Sequence, residues 1–466
     1  MRKSLLVAAT ALATASCASL PAYQAGDGLP EAPAGWVNAP RDAGAEAARD
    51  WVMEIGDDRL TGLIDEAFTG NPSLHQSFAR YRAALAAARI AGADRLPSVN
   101  AGLDYTRTEP NSGSGSDSFS LGLSTSWEAD LWGRVADGAN ASALDAEAAA
   151  DDVRAAQLSV AGLVAKAWFA LIEARLQTDL AERDVATRQS SLDLTERRFA
   201  RGLVRSSDVR TARSALASSE AALASRQRSE ASASRSLETL LGRYPGARLA
   251  PQGDFPVLGT VGAVGTPEAM LARRPDIRAA ERRLQAAGLR ADAARKALYP
   301  SLSLRGGSGT GGPDAGDMFD TDTLVSNLTA SVLGPIFNGG ALRAGRDQAQ
   351  ANAEAQLAVY VSTVLTAWQE AEDAIHADAI LARRVDSLQI AFEEAREAED
   401  LVIRQYASGV STIFDLLNAQ SRRISAESQY ISARRDRAAN RVDLYLAIAG
   451  DFSAAQSADP AAQTGE

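Results

Sequence analysis

Cysteine, histidine and aromatics are scarce in this 466-residue chain: it has one Cys, two His and 6% aromatic residues. A single cysteine excludes an internal disulfide framework and any multi-cysteine zinc site. His75 and His376 lie far apart without metal-ligand spacing, so no metal centre is expected. The net charge of -11, from 48 Lys and Arg against 59 Asp and Glu, argues against nucleic acid and against polybasic membrane binding. Long hydrophobic runs are missing too. The best internal candidate, Leu158 to Ile172, is shorter than the roughly 20 apolar residues a membrane helix needs and carries Lys166. No helix is therefore expected to cross a membrane. Catalytic chemistry is equally unsupported. Glu128 and Asp130 are a carboxylate pair without pocket-forming context, and the glycines from Gly306 to Gly312 do not sit between a strand and a helix as a phosphate cradle would, so they read as an exposed loop. The chain reads as neither an enzyme nor a cofactor binder.

The N-terminus reads as an address. Arg2 and Lys3 precede the apolar stretch Leu5 to Ala15, the order of a signal peptide over residues 1–16. The one cysteine, Cys17, stands at the cut. Thr14-Ala15-Ser16-Cys17 resembles a bacterial lipobox, with Thr14 where that pattern prefers Leu. The resemblance implies that Cys17 is lipidated and, because Ala18 rather than Asp follows, that the outer membrane is the destination. Ordinary cleavage after Ala18 is the alternative. An acylated cysteine anchors a chain without spanning the membrane.

What the chain has in quantity is alanine, charge and a long internal repeat. Asn71-Pro72 opens a helical stretch that stops at Leu96-Pro97 and passes into alternating sequence, and Arg274-Pro275 opens another that stops at Tyr299-Pro300. Arg197-Arg198-Phe199-Ala200-Arg201-Gly202 with Asp208 recurs as Arg404-Gln405-Tyr406-Ala407-Ser408-Gly409 with Asp415. Two similar halves follow, over 51–250 and 267–450, joined by a linker at 251–266; residues 17–50 form an extended lipidated segment and 451–466 a disordered tail. Pro72 and Pro275 suit a first helical turn, where the missing N–H costs nothing. Pro97 and Pro300 end those helices and force the preceding residue extended. From Val135 to Phe199 no proline occurs, and Val153, Val160, Ala167 and Ala174, with Val164 and Leu171, recur at heptad-like steps. The pattern predicts antiparallel coiled-coil hairpins at about 135–241 and about 341–448. Gly202 and Gly409 let the backbone reverse at their tips, where positive φ is expected. Asp208 and Asp415 fall in the first turns of the returning helices, which leaves both helix capping and a pore role open.

Four segments alternate with period two, in hairpins at about 98–128 and about 301–333. Val99, Ala101, Leu103 and Tyr105 alternate with small polar residues, as do Phe119, Leu121, Leu123 and Trp127; Leu302 and Leu304, then Leu324, Leu328, Ala330 and Val332, repeat the pattern. Apolar on one side and Ser, Gly, Asn or Thr on the other suits a strand between lipid and water. Soluble hairpins are the bland alternative. In lipid, four strands cannot close a barrel, so the chain must oligomerise: two copies give eight strands with a filled interior, three give twelve with room for a lumen. The polar face fits the larger case.

Leu271-Ala272-Arg273-Arg274-Pro275-Asp276-Ile277-Arg278-Ala279-Ala280-Glu281, continuing to Tyr299-Pro300-Ser301-Leu302, resembles the outer membrane efflux protein family, to which TolC and the lipoprotein channels of resistance-nodulation-division pumps belong. Trp127-Glu128-Ala129-Asp130-Leu131-Trp132-Gly133 is similar to its strand-to-helix junction, and Gly409 with Asp415 to Gln420 to its helix-tip segment. The resemblance implies a mainly α fold with membrane β: a homotrimer with a twelve-stranded barrel and an α-helical periplasmic tunnel. It also implies an outer-membrane exit duct for drugs or other small molecules, working with a periplasmic adaptor and an inner-membrane transporter. A type I protein secretion channel, or a coiled-coil scaffold without a pore, are the alternatives. By the same resemblance Tyr406 and Asp415 stand at positions of closure and of an acidic ring. Asn418 stands where some members have a second Asp, and Ser411 where some have Arg. Gly202 and Asp208, with Gly409, mark tips that dock the adaptor.

Overall fold

The computed structural model describes residues 28–39, 51–251, 253–262 and 264–448. The signal peptide, Cys17 and the C-terminal tail read from the sequence lie outside them. Two compact units divide the chain: one takes in Ala79–Asp151 and Asp276–Thr363, the other Glu31–Phe78, Asp152–Pro275 and the chain from Val364 on. In chain order the elements are α1 (Trp51–Ile55), α2 (Asp58–Gly70), α3 (Pro72–Ala93), β1 (Ser98–Thr108), β2 (Ser116–Ala129), α4 (Arg134–Ala200) and α5 (Ser206–Leu240). Then come α6 (Pro267–Arg273), α7 (Pro275–Lys296), β3 (Ser301–Gly312), β4 (Val325–Leu333), α8 (Ala341–Ser408) and α9 (Ile413–Ala447).

The prolines fall at element boundaries. Pro72 and Pro275 are the first residues of α3 and α7, and Pro97 and Pro300 directly precede β1 and β3. Ahead of Pro72, the Asn71 side chain accepts the Ser73 N–H at 2.8 Å, an N-cap bond, and donates to the Leu240 carbonyl at 2.7 Å. Arg274 and Arg278 of the 271–281 motif reach different partners. Arg274 reaches the Ala447 carbonyl at 3.2 Å, where a cation meets the negative end of α9. Arg278 and Arg282 both bind Asp151, which is 1% exposed.

The first unit carries one antiparallel sheet in the order β1-β2-β3-β4. Its register places Leu103 opposite Leu121, Leu121 opposite Thr310, and Gly306 opposite Leu328. Because side chains alternate faces, this collects Val99, Leu103, Tyr105, Leu121, Leu123, Leu304, Leu328 and Val332 on one face and Asn100, Ser120, Ser124, Asn327 and Thr329 on the other. A slip of one residue would mix the two sets. Nothing among the described residues covers the apolar face: Leu328 is 80% exposed and Leu103 63%. Among the described residues β1 and β4 are each paired on one side only, so both outer edges of the sheet are open.

Two expectations are corrected here. The glycines from Gly306 to Gly312 are not a loop but the second half of β3, and the connection to β4 is a pair of short 3₁₀ turns, Ala315–Phe319 and Thr321–Thr323, with Leu324 ahead of the strand. Glycine is needed because a Cβ at Gly311 would lie 2.6 Å from the Phe119 carbonyl oxygen, and at Gly309 2.8 Å from that of Leu121. The second correction concerns α4, which does contain an 18-residue window long and apolar enough by composition to span a membrane. Of that window 56% is buried inside the protein, with Val160, Val164, Phe169 and Leu171 among the core residues. The heptad reading also shifts: Val153, Val160, Val164 and Leu171 are buried, but Ala167 and Ala174 are half-exposed.

In the second unit the paired helices run antiparallel. Along α8, partners in α9 recede as the chain advances: Asp378 with Arg441, Arg384 with Asp436 at 2.9 Å, Phe392 stacked on Tyr430, Glu399 with Arg423 at 2.7 Å. Arg175 with Glu230 and Glu196 with Arg213 set the same sense for α4 and α5.

A candidate gate at the helix tips

Both helical hairpins reverse at a glycine with positive φ, Gly202 at 73° and Gly409 at 88°. The amide of each closes the preceding helix, to the Phe199 carbonyl at 2.8 Å and the Tyr406 carbonyl at 3.1 Å. The returning helices are then capped by carboxylates. Asp208 accepts the Arg205 N–H at 3.2 Å at the start of α5. Asp415 accepts both the Thr412 N–H at 2.9 Å and the Thr412 hydroxyl at 2.7 Å, while its own N–H bonds back to that hydroxyl at 3.3 Å, a reciprocal capping box. The Thr412 side chain first, and its backbone second, hold the Asp415 carboxyl below the ordinary 3.8. Asp415 remains exposed, as does Asn418 three residues further along α9. Leu203, Val410 and Phe414 stand exposed around the two tips.

Tyr406 is 1% exposed, in a cluster with Leu192, Val209, Ala212, Ile413 and Leu416 drawn from all four helices. Its hydroxyl lies 2.9 Å from that of Thr195. Thr195 gives its own proton to the Ser191 carbonyl at 2.7 Å, so Tyr406 is the donor and Thr195 the acceptor. From α4, Arg198 donates to the Tyr406 carbonyl and sits 4.7 Å from the centre of its ring. Thr195 carries no signal in the sequence beyond a place on α4, and Arg198 none beyond its place in the repeated tip motif.

The Tyr406 contact joins α4 to α8, and beside it runs a polar seam between α4 and α9. Gln420 donates to Ser191 at 2.9 Å, Gln177 and Ser428 exchange bonds at 3.0 and 2.9 Å, and Glu173 accepts from Ser432 at 2.6 Å and Arg435 at 2.9 Å. Lys166 with Asp443 lies at the far end. The Gln420 carbonyl oxygen is buried without a partner, so one rung is incomplete. Groups joined by such bonds can exchange them for water, whereas an apolar seam would expose hydrophobic surface on opening. Buried charge ties α8 to α9 where Arg423 of α9 bridges Glu399 and Glu427 at 2.7 and 3.0 Å, and Glu427 also accepts from Arg183 of α4. The Glu128–Asp130 pair is likewise engaged. Glu128 holds Arg134 at 2.8 Å, and Asp130 caps α4 by accepting the Val135 and Ala136 N–H groups at 3.1 and 2.7 Å. Burial works to raise the Asp130 pKa, but those backbone donors outweigh it and the net shift is downward.

An exposed apolar sheet with open edges in one unit, and antiparallel helical hairpins joined along a polar seam in the other, are the features of a channel-forming envelope protein. The chain belongs to the outer membrane efflux protein family, whose model matches residues 63–243 and 266–450. It is 33% identical to the pyoverdine export outer membrane protein OpmQ of Pseudomonas aeruginosa, over 97% of both chains. It is 31% identical to the outer membrane protein OprJ of the same organism, over 96% of this chain and 95% of the other. Among solved structures, the open state of the Neisseria gonorrhoeae outer membrane channel MtrE superposes with a TM-score of 0.83 at 31% identity, covering 94% of this chain and 99% of that one.

Proposed function

We propose that three copies of this chain assemble into the outer-membrane exit duct of a tripartite efflux pump. The observation that carries this reading is the sheet: four strands, apolar on one face and polar on the other, with both edges open. Pairing of β4 with β1 of the next copy satisfies both edges, and three copies give twelve strands around a lumen lined by Ser, Asn, Thr and Gly. The two halves of the chain each supply one strand hairpin and one pair of long helices, so the helices continue the lumen as a periplasmic tunnel. Named roles of relatives, pyoverdine export for OpmQ and antibiotic efflux for ArpC of Pseudomonas putida, point to small molecules as cargo rather than folded protein.

The duct is passive; a periplasmic adaptor docks at the tips around Gly202, Asp208 and Gly409, and an inner-membrane transporter supplies energy. Its gate is the Tyr406 end of the seam, with Asp415 and Asn418 beside the entrance. Cys17 carries the lipid anchor. The protein purified in mild detergent is expected to have the mass of three chains and to conduct ions in planar bilayers. A monomer with full β content, or a trimer that never conducts, overturns the proposal.

A further inference from the structure

The polar face of the sheet carries three charges among the described residues: Asp104 on β1, Glu128 on β2 and Arg305 on β3. The register sets their heights. Arg305 lies in a row with Ser98, Ser126 and Thr329, one residue from each strand, so both of its flanking residues belong to its own chain. A second copy joined at β1 or β4 meets this row at Ser98 or Thr329, not at the arginine. Glu128 stands one row nearer the helices, opposite Ser303, and accepts from Arg134 at 2.8 Å with both of its oxygens. Asp104 is opposite Ser120, six residues along β2 from Ser126, which places it about 20 Å further along the sheet. That exceeds two Debye lengths of about 8 Å.

Arg305 is exposed, and its guanidinium has no hydrogen-bond or ion-pair partner among the described residues. Its row offers only hydroxyls, and those of Ser98 and Ser126 bond to each other at 2.9 Å. On β3 the next residues of the same face are Gly307 and Gly309, which have no side chain to lie against it. A long cation left unpaired among small residues is stable only in water. Alternation puts it on the face opposite Leu304 and Trp127, the face that the duct reading turns to the lumen.

We infer that the three Arg305 side chains of the trimer form a cationic ring inside the barrel, which binds small anions in passage through their carboxylate or phosphate groups and biases the duct toward anionic cargo. The inference rests on the trimeric-duct reading, and one chain holds only a third of the site. Threefold symmetry brings the guanidinium groups to one height around the axis. Their planar forks match carboxylate and phosphate oxygens, and the Ser126 and Thr329 hydroxyls beside them are further donors. Three charges at about 6 Å from the axis, in water and screened by salt, raise the local concentration of a monovalent anion about fivefold and lower that of a cation as much. The chain as a whole carries a net charge of -11, so a preference for anions cannot come from its general field.

The test measures the ion selectivity of full-length trimers in planar bilayers under a salt gradient. Arg305→Gln should lower the ratio of anion to cation permeability by at least about fivefold, and Arg305→Glu should lower it further. Arg305→Lys keeps the charge and should stay within about twofold of the wild type. Citrate or inorganic tripolyphosphate, added on the barrel side, should block the wild-type current, with a half-blocking concentration about tenfold higher or more in Arg305→Gln. Block by one of them alone supports the ring and narrows its ligand to that chemistry. A wild-type current that neither anion blocks overturns the ring whatever the variants do. So do equal permeability ratios in wild type and Arg305→Gln with trimers intact on native gels. Loss of trimers in Arg305→Gln that Asp104→Asn reproduces makes the arginine a strut between copies and overturns the ring as well. A protein that never trimerises or never conducts overturns the duct reading, and the ring with it.

Discussion

Replacing Tyr406 by Phe removes one hydroxyl from the tip and leaves the ring in place, so it isolates the hydrogen bond from the packing. The bond at stake is the 2.9 Å contact in which Tyr406 donates to Thr195. Thr195 keeps its own donor bond to the Ser191 carbonyl at 2.7 Å, so the variant leaves no orphaned proton, only one acceptor lone pair unfilled. The net loss is that of a neutral hydrogen bond, about 1 kcal/mol, or about fivefold in the balance between closed and parted seam. Tyr406→Ala is a different perturbation. It empties a position that is 1% exposed and removes the ring beneath Arg198. Aromatic truncation in a core costs about 3–5 kcal/mol, with about 0.5–2 kcal/mol more for the lost cation–π contact. Resting open probability in planar bilayers should therefore rise about fivefold in Tyr406→Phe and saturate in Tyr406→Ala, with trimers intact on native gels. In a Thr195→Val background Tyr406→Phe should do nothing further, since its partner is already gone. If Tyr406→Phe leaves conductance unchanged, or acts equally with and without Thr195, the seam does not set the resting state of the channel.

If the apolar face of the sheet meets lipid as proposed, it should reject charge. Leu328→Arg, midway along β4, is expected to cost about 2–4 kcal/mol and to lower the temperature at which the assembly dissociates on a gel, whereas Asn327→Ser on the other face should leave it nearly unchanged. Gly311→Val should abolish assembly outright, because its Cβ meets the Phe119 carbonyl at 2.6 Å, while Gly316→Ala, with open space around it, should be silent in the same gel assay. The cap on α9 should make the tip acid-sensitive. The Asp415 pKa lies below its unfolded value, so its contribution is present above that value and disappears as pH falls through the folded pKa, in a window below about pH 4. Resting conductance should climb over that window in the wild type and stay flat in Asp415→Asn; an identical rise in both variants would place the acid response elsewhere.

The elements legible in the sequence are those set by short-range physics. Proline fixes φ and removes a donor, so Pro72, Pro97, Pro275 and Pro300 mark ends of elements without reference to anything distant. A period of two along Val99, Ala101, Leu103 and Tyr105 assigns each side chain a face as soon as the strand forms. Uninterrupted alanine-rich sequence with Gly202 and Gly409 as breaks gives long helices and their reversals. Even so, local rules misjudged β3, because a glycine run looks like a loop until the Phe119 and Leu121 carbonyls of the neighbouring strand are seen where a Cβ would go.

The bonding of the candidate gate is different in kind. Thr195 meets Tyr406 across 211 positions, Ser191 meets Gln420 across 229, and Lys166 meets Asp443 across 277. Resemblance singled out Tyr406 and Asp415, and capping at Asp415 was legible as a local option, but neither the partners of Tyr406 nor the seam on α4 could be read from the chain. A hydrogen bond between distant side chains leaves no period and no local preference in either segment. It exists only after the apolar faces have packed the helices into one register, and that packing, the sum of many small contacts over long helices, is what decides which polar groups come to face each other.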